Sequence, residues 1–163
     1  MGKAPICSMS DLLTAYADCL AALHAEAEAT LAGLPPEALD WSPAPEANSL
    51  AVLVVHTAGS ERYWIGEIAG QIPANRDRAA EFHAAGLTAP ALQQKLAEAL
   101  ALSGDVLAKL TLADLALQRP ARDNREPTVA WALFHALAHV AEHVGHMQLT
   151  RQMWDHLRGN FSS

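Results

Sequence analysis

Residues 131–146 read WALFHALAHVAEHVGH, a stretch that places four histidines within twelve residues. His135, His139 and His143 recur at a spacing of four, and His146 follows them. Because an α-helix turns about 100° per residue, the four imidazoles fall in one stripe along one helical face. The residues flanking this stripe are apolar, so we expect it to face a helix-packed interior; they are Leu133, Leu137, Val140 and Val144.

The composition predicts an all-α protein with a single domain. The chain has 163 residues, of which 51% are hydrophobic, enough for one good core. Alanine and leucine dominate, and strand-type alternation is scarce, so helices should form most of the fold. We expect one domain over residues 1–163, with its core helices between about residues 10 and 158.

Start and stop signals divide this domain into four long helices. Ser10-Asp11 begins the first, which the glycine and prolines at 33–36 end. Asn48-Ser49 caps a second helix over about residues 50–69, and Thr88 caps a third that should end near Leu110 or Leu115. Pro127-Thr128 begins the fourth, which carries the histidine stripe to about Leu157. Four amphipathic helices in one domain predict a four-helix bundle.

The segments between these helices are of three kinds. Residues 36–48 are rich in proline and contain Trp41, which predicts an ordered connector pinned by an aromatic side chain. Residues 71–86 mix charged and small side chains, and we interpret them as a long crossover connection. Residues 118–126 are polar, with a turn pair at Asp123-Asn124, and can form a short hairpin.

Charge and hydropathy exclude two classes of partner. The net charge is −7, and lysine and arginine are spread thinly along the chain, which argues against nucleic-acid binding. The longest apolar runs, such as residues 50–55, are too short to span a bilayer, so no membrane partner is expected. We therefore expect a cytoplasmic protein.

The histidine spacing predicts a metal site that needs a ligand from a second helix. Positions i and i+4 lie about 6 Å apart, so His135 with His139, or His139 with His143, can hold one ion. The four histidines cannot all share it, because His135 and His146 are separated by about 16 Å of helix rise. Only His56 lies in a comparably apolar helical context, whereas His24 and His83 have charged neighbours and are expected at the surface.

A histidine stripe of this kind also occurs in three other classes of metal-binding protein. His139 to His143 matches the H-x-x-E-H pattern of inverzincin proteases, but Asp155 is the only acidic residue downstream of Glu142. Di-iron bundles need several carboxylates, including two Glu-x-x-His pairs, and the chain lacks them. A haem-binding bundle remains a distant alternative, testable by a visible absorption band.

The order of the motifs resembles that of a known family. Residues 49–56 (SLAVLVVH), residues 61–64 (ERYW) and the distal H-x-x-x-H-x-G-H-x-Q over residues 139–148 together resemble the DinB/YfiT-like superfamily of bacterial metal-binding four-helix bundles. The connector at residues 34–41 is similar too, so the likeness covers nearly the whole chain. Carried over by position, the resemblance implies a metal triad of His56, His139 and His143.

The resemblance implies a fold and an activity class. It implies one divalent ion, often nickel or zinc, a homodimer, as in many relatives, and thiol-dependent transfer with small thiols such as mycothiol or bacillithiol. The leading hypothesis is a metal-dependent enzyme, a thiol-dependent transferase or a small-molecule hydrolase, with an open coordination position. The alternative is a non-catalytic metal-binding or stress-response protein, in which a fourth protein ligand closes the site and the metal is structural.

Five further residues are candidates around this site. Glu142 is the nearest candidate base, and His146 can hydrogen-bond behind the ligands or contact substrate. The small side chains of Gly59 and Ser60 should leave a hollow beside His56 for an ion, water or substrate. Tyr63 lies two turns beyond His56 and is expected to line the same cavity.

Overall fold

The protein is a bundle of four long helices, as a computed structural model shows for residues 9–159. In chain order the elements are α1 (Met9–Leu31), α2 (Pro36–Asp40), α3 (Leu50–Glu61) with a π-helical continuation (Arg62–Ala69), α4 (Arg78–Glu81), α5 (Ala89–Leu107), α6 (Leu112–Leu115), a 3₁₀ turn (Arg122–Asn124) and α7 (Val129–Leu157). The predicted all-α four-helix fold is confirmed. Residues 1–8 and 160–163 of the predicted domain lie outside the described residues.

The long helices pack around one core. α1 and α3 each pack against both α5 and α7, so α1 and α3 lie diagonally across the bundle. The core side chains are mostly leucine, valine and isoleucine, with Tyr63, Trp64 and Met147 among the larger buried residues. No helix within residues 9–159 is long and apolar enough to cross a membrane.

The predicted helix starts are confirmed by side-chain caps. Ser49, Thr88 and Thr128 each accept a hydrogen bond from a backbone N–H in the first turn of α3, α5 and α7. The third long helix ends at Leu107, earlier than predicted, because Thr111 begins the separate short helix α6 with a capping box. The expected short hairpin at residues 118–126 forms around one antiparallel bridge, between Gln118 and Thr128, and the Ala121 N–H donates to the Arg125 carbonyl across its turn.

The helix predicted over residues 50–69 changes from α to π geometry at Arg62. Two glycines in and after the π segment let it approach α5 closely. A Cβ on Gly66 would lie 2.9 Å from a Leu102 methyl carbon, and a Cβ on Gly70 would lie 2.5 Å from one of Val106. Such π segments occur frequently at functional sites, and this one carries two aromatic residues that adjoin the histidines.

A polar cluster lies in the middle of the bundle, where α1 and α3 face each other. Glu61 is fully buried; its two carboxylate oxygens lie 2.6 Å from Nε2 of His24 and 2.6 Å from the Ser103 hydroxyl. Burial and the nearby charge of Glu61 raise the pKa of Tyr16, whose hydroxyl donates to the Leu133 carbonyl. The expectation that His24 lies at the surface is therefore wrong: its charged sequence neighbours point outward, while His24 itself faces inward toward Glu61.

Candidate metal centre

Three histidines from two helices converge at one point between α3 and α7. His56, His139 and His143 each offer a ring nitrogen within 4.8 Å of the other two. Nε2 of His139 and Nε2 of His143 are 3.2 Å apart. Two nitrogens bound tetrahedrally at about 2.0–2.1 Å from a zinc ion would lie about 3.3 Å apart, so this spacing fits a shared metal ion. The three-histidine group can hold a metal.

A carboxylate fixes the orientation of His56. Nδ1 of His56 lies 2.9 Å from Oε2 of Glu81, and Arg76 pairs with the same carboxylate through Nε and Nη2 at 2.6 and 2.7 Å. Burial alone would raise the pKa of Glu81, but the hydrogen bonds from Arg76 and His56 outweigh it and lower the pKa. The ionised carboxylate accepts a hydrogen bond from Nδ1–H of His56, which leaves the lone pair on Nε2 for a metal. This carboxylate–histidine arrangement is typical of metal sites.

The Glu81 carboxylate occupies the space beside Gly59. A Cβ on Gly59 would lie 2.1 Å from Oε1 of Glu81. The hollow predicted beside Gly59 therefore exists, but a protein side chain occupies it rather than an ion or a substrate. Ser60, the other small residue, is buried and lines the open cavity described below.

We expect Gly59→Ala to weaken metal binding without unfolding the protein. The new methyl group must displace the Glu81 carboxylate, which breaks its bonds to Arg76 and His56 and frees the His56 ring to rotate. Loss of such an outer partner lowers metal affinity by about 10–100-fold, measurable by titration against a chelator. Gly104→Ala is the matched control, because a Cβ there meets open space; unchanged affinity in Gly59→Ala would show that Glu81 does not orient His56.

The two α7 histidines of the group are neutral at physiological pH. Burial lowers the pKa of His139 to about 3, with His143 and His56 adding to the effect. Burial and His56 likewise lower the pKa of His143 to about 4, although the charge of Glu142 opposes the shift. Nδ1 of His139 is buried with no hydrogen-bond partner among the described residues. Neutral imidazoles are the form that binds metal.

The other two histidines of the stripe have different surroundings. His135 stacks on Trp131, with ring centroids 4.7 Å apart, and packs edge-on against Trp64. It is not part of the three-histidine group, so the structure favours the His139–His143 pair over the His135–His139 pair. His146 is exposed, and its Nδ1 lies 3.3 Å from Nδ1 of His143. Glu142 is also exposed.

A cavity of about 420 Å³ opens beside the three histidines. His56 and His139 form part of its wall, together with Ser60, Tyr63, Trp64 and His135. Tyr63 is buried, and its hydroxyl accepts a hydrogen bond from the Arg122 backbone N–H at 2.7 Å. Tyr63 thus ties the wall of the cavity to the loop before α7. The volume is in the range of small-molecule sites.

Four arginines complete the lining of this cavity: Arg76, Arg78, Arg122 and Arg125. The first two come from the connection around α4 and the other two from the loop before α7. The guanidinium of Arg122 lies 4.7 Å from the ring centre of Tyr63, and that of Arg125 lies 5.6 Å from Trp64. Stacking on these rings holds Arg122 and Arg125 at the rim of the cavity.

Comparison with known proteins agrees with this architecture. A family model described as mycothiol-S-transferase matches residues 15–156. The chain belongs to the mycothiol-S-transferase family. This is a DinB-like family, so the resemblance seen in the motifs is confirmed. Among functionally curated proteins, none gives a significant match.

A solved structure supports the fold assignment of this family member. A conserved protein from Enterococcus faecalis is 20% identical, with a TM-score of 0.68 over 86% of this chain and 95% of the other. At that identity the likeness concerns the fold alone. The family membership points to a small-molecule thiol as substrate class.

Sequence reasoning missed Glu81 and the arginines of this family member. Glu81 and these arginines lie in segments interpreted as connections, and their positions in the sequence do not recur at the spacing of a helix. The available signal was local clustering: Arg76 and Arg78 in one connection, and Arg119, Arg122 and Arg125 in another. The cap Asp77, which accepts from Ala80 N, predicts the short helix that carries Glu81.

Proposed function

We propose that this protein is a metal-dependent transferase that joins the sulfur of a low-molecular-weight thiol to a small electrophile. The observation that carries the proposal is the convergence of His56, His139 and His143 beside a cavity of small-molecule size. Within residues 9–159 no fourth histidine, cysteine or carboxylate joins the three. Three protein ligands and an open position are typical of catalytic rather than structural sites.

In the proposed reaction the thiol sulfur forms a bond to the electrophilic carbon. The leaving group departs with its electron pair, and the thiol proton is released. A divalent ion, nickel or zinc, held by the triad would supply the positive charge that lowers the pKa of a thiol beside it. A small-molecule hydrolase is the related alternative, in which water takes the place of the thiol.

The protein residues orient the site and shape the reaction space. Glu81 holds the His56 ring, and we propose that His146 holds the His143 ring through the contact between their Nδ1 atoms. Tyr63, Ser60 and the rim arginines would surround the substrates in the cavity. Glu142 is exposed on α7. It is the candidate acceptor for the released thiol proton on the solvent-facing side of the site.

The test is a transfer assay on the untagged full-length protein whose metal content has been measured. Chloroacetamide would be offered with mycothiol, bacillithiol, cysteine or glutathione, and the thioether product quantified by mass spectrometry. We expect turnover above the uncatalysed rate with at least one thiol, reduced in Glu142→Gln or His146→Ala if those residues take the proposed roles. Absence of turnover with the whole thiol panel and a set of other electrophiles would contradict the proposal.

The alternative function is a metal-binding or stress-response protein with a structural metal. It requires a closed site, and chelation of the metal would then lower the melting temperature strongly, because metal binding adds to folding free energy. The open cavity beside the triad favours the catalytic proposal, under which the metal-free protein stays folded and chelation abolishes thiol transfer.

We expect Tyr63→Phe to impair substrate use while leaving the fold intact. The change removes the acceptor for the Arg122 N–H and so loosens the cavity wall. A net loss of about 1 kcal/mol corresponds to about fivefold in kcat/KM, with metal content and melting temperature nearly unchanged. Tyr16→Phe is the matched control: its hydroxyl bonds Leu133 on the other side of the bundle, so it should affect stability alone. Destabilisation of Tyr63→Phe without a kinetic effect would make Tyr63 structural.

We also propose that the protein is a homodimer. Large apolar side chains are exposed on the outer faces of α1 and α7, among them Leu12, Phe134, Leu149, Met153 and Leu157. Apolar patches of this kind mark interaction surfaces. Light scattering on the purified protein measures the mass directly, and a monomer at micromolar concentration would contradict the proposal.

A further inference from the structure

Four basic residues of this acidic chain line one cavity. The chain has 11 lysines and arginines and a net charge of −7. Four of the 11 line the single cavity beside His56 and His139, and none of the ten residues that line this cavity is acidic. Glu81, which pairs with Arg76, lies behind the wall. Several guanidinium groups around one cavity give it a positive potential, which attracts an anion.

Aromatic rings in and beside the cavity wall position three of these arginines. Arg122 and Arg76 have their guanidinium carbons 4.7 and 5.9 Å from the centre of the Tyr63 ring. Arg125 lies 5.6 and 5.8 Å from the rings of Trp64 and Trp131. Stacking engages the flat face of a guanidinium, whereas recognition of an oxyanion engages its N–H edge. The two interactions are compatible, so a stacked arginine is well suited to bind a carboxylate or a phosphate.

The size of the cavity decides between a small anion and a polyanion. At about 420 Å³ it matches sites for small molecules, which span about 300–1,000 Å³. A nucleic acid or an anionic membrane would instead need an extended basic surface, which the net charge of −7 does not favour. The occupant is therefore a small molecule.

We propose that the electrophile accepted by this enzyme carries an oxyanion group, a carboxylate or a phosphate, which the arginines of the cavity bind while the reacting carbon lies toward the histidines. This inference rests on the proposed thiol transfer, but it concerns binding and adds no chemical step. It assigns Arg122 and Arg125, with Arg78, to substrate recognition, while Arg76 stays paired with Glu81. An uncharged electrophile of the same shape should be a poorer substrate.

The first experiment measures binding without turnover. Succinate and inorganic phosphate are titrated calorimetrically into the full-length protein with its metal content measured, and into Arg122→Gln and the double variant Arg122→Gln/Arg125→Gln. Glutamine at position 122 keeps the backbone N–H that donates a hydrogen bond to the Tyr63 hydroxyl. We expect at least one anion to bind, about tenfold more weakly in the single variant and more weakly still in the double variant. Which anion binds identifies the source, carboxylate or phosphate.

Arg158→Gln is the matched control, since it removes the same charge fifteen residues beyond His143, about 22 Å along α7. It should bind the anion as the wild type does. Equal affinity in the wild type and the double variant, or no binding of either anion, would overturn the inference. Circular dichroism and metal content of each variant establish that the fold and the triad are intact.

The second experiment compares two electrophiles with the same leaving group. Chloroacetate carries a carboxylate and chloroacetamide does not, so their kcat/KM ratio reports recognition of the charge. We expect the ratio to favour chloroacetate, after correction for uncatalysed rates, and to fall about tenfold in Arg122→Gln. Turnover of both compounds with a ratio unaffected by Arg122→Gln would overturn this inference and leave the proposed transfer intact. Turnover of neither, with anion binding retained, would contradict the transfer alone.

Discussion

His56→Ala is expected to abolish stoichiometric metal binding while the protein stays folded. His56 is the only member of the three-histidine group that comes from α3, so without it two neighbouring α7 histidines remain. The loss in affinity should exceed the roughly 10–100-fold that removal of an outer partner costs. Elemental analysis of the untagged protein should give about one metal ion per chain for the wild type and almost none for the variant, and thiol transfer should be lost with the metal.

Two histidine controls make this result specific. His83→Ala removes an exposed imidazole close to Glu81 in sequence and should retain the metal. His135→Ala removes an imidazole that packs between Trp64 and Trp131 but does not belong to the group, and it should retain the metal too. Full metal content in His56→Ala, or loss of metal in His135→Ala, would mean that the triad has been assigned to the wrong residues.

Glu61→Ala is expected to cause the largest loss of stability of any single change at a polar residue considered above. The variant leaves Nε2 of His24 and the hydroxyl of Ser103 without their partner in the middle of the bundle. Nδ1 of His24 already has no partner there. Breaking a buried pair of this kind costs about 3–5 kcal/mol in the free energy of unfolding. Urea unfolding followed by circular dichroism measures the loss.

Glu98→Ala is the control for this prediction. Glu98 is exposed on α5, and its removal should change the free energy of unfolding by no more than about 0.5 kcal/mol.

Replacing both members of the buried pair, as Glu61→Leu/His24→Leu, should recover much of the loss, because apolar side chains of similar volume leave no unpaired charge. A loss below about 1 kcal/mol in Glu61→Ala would show that the bundle tolerates an unpaired His24. Metal content should be unchanged in folded Glu61→Ala, which separates this cluster from the site.

The helices and the imidazole stripe could be predicted from sequence because their signals are local. Ser49, Thr88 and Thr128 cap helices through backbone groups three residues away. The spacing of four brings His139 next to His143 by helix geometry alone. The change to π geometry at Arg62 and the early end of α5 at Leu107 could not be predicted from periodicity, because a helical pattern continues through both positions.

His24 shows why exposure could not be predicted from neighbouring charges. Glu26 and Glu28 follow it closely in sequence, but a helix has two faces, and the partner that makes burial of His24 favourable is Glu61, 37 positions away. The same holds for Glu81, which lies in a segment without helical periodicity and contacts His56 only after the connection folds back onto α3.

By itself, then, the sequence determined the four helices, their caps, the stripe of imidazoles and the motif order of the family, because each depends on residues within a few turns of one another. Only the tertiary structure decided which histidines meet, which carboxylate orients them, and that arginines from two distant connections line one cavity. Those contacts depend on how the helices pack and where the connections cross, which is a property of the whole core rather than of any segment.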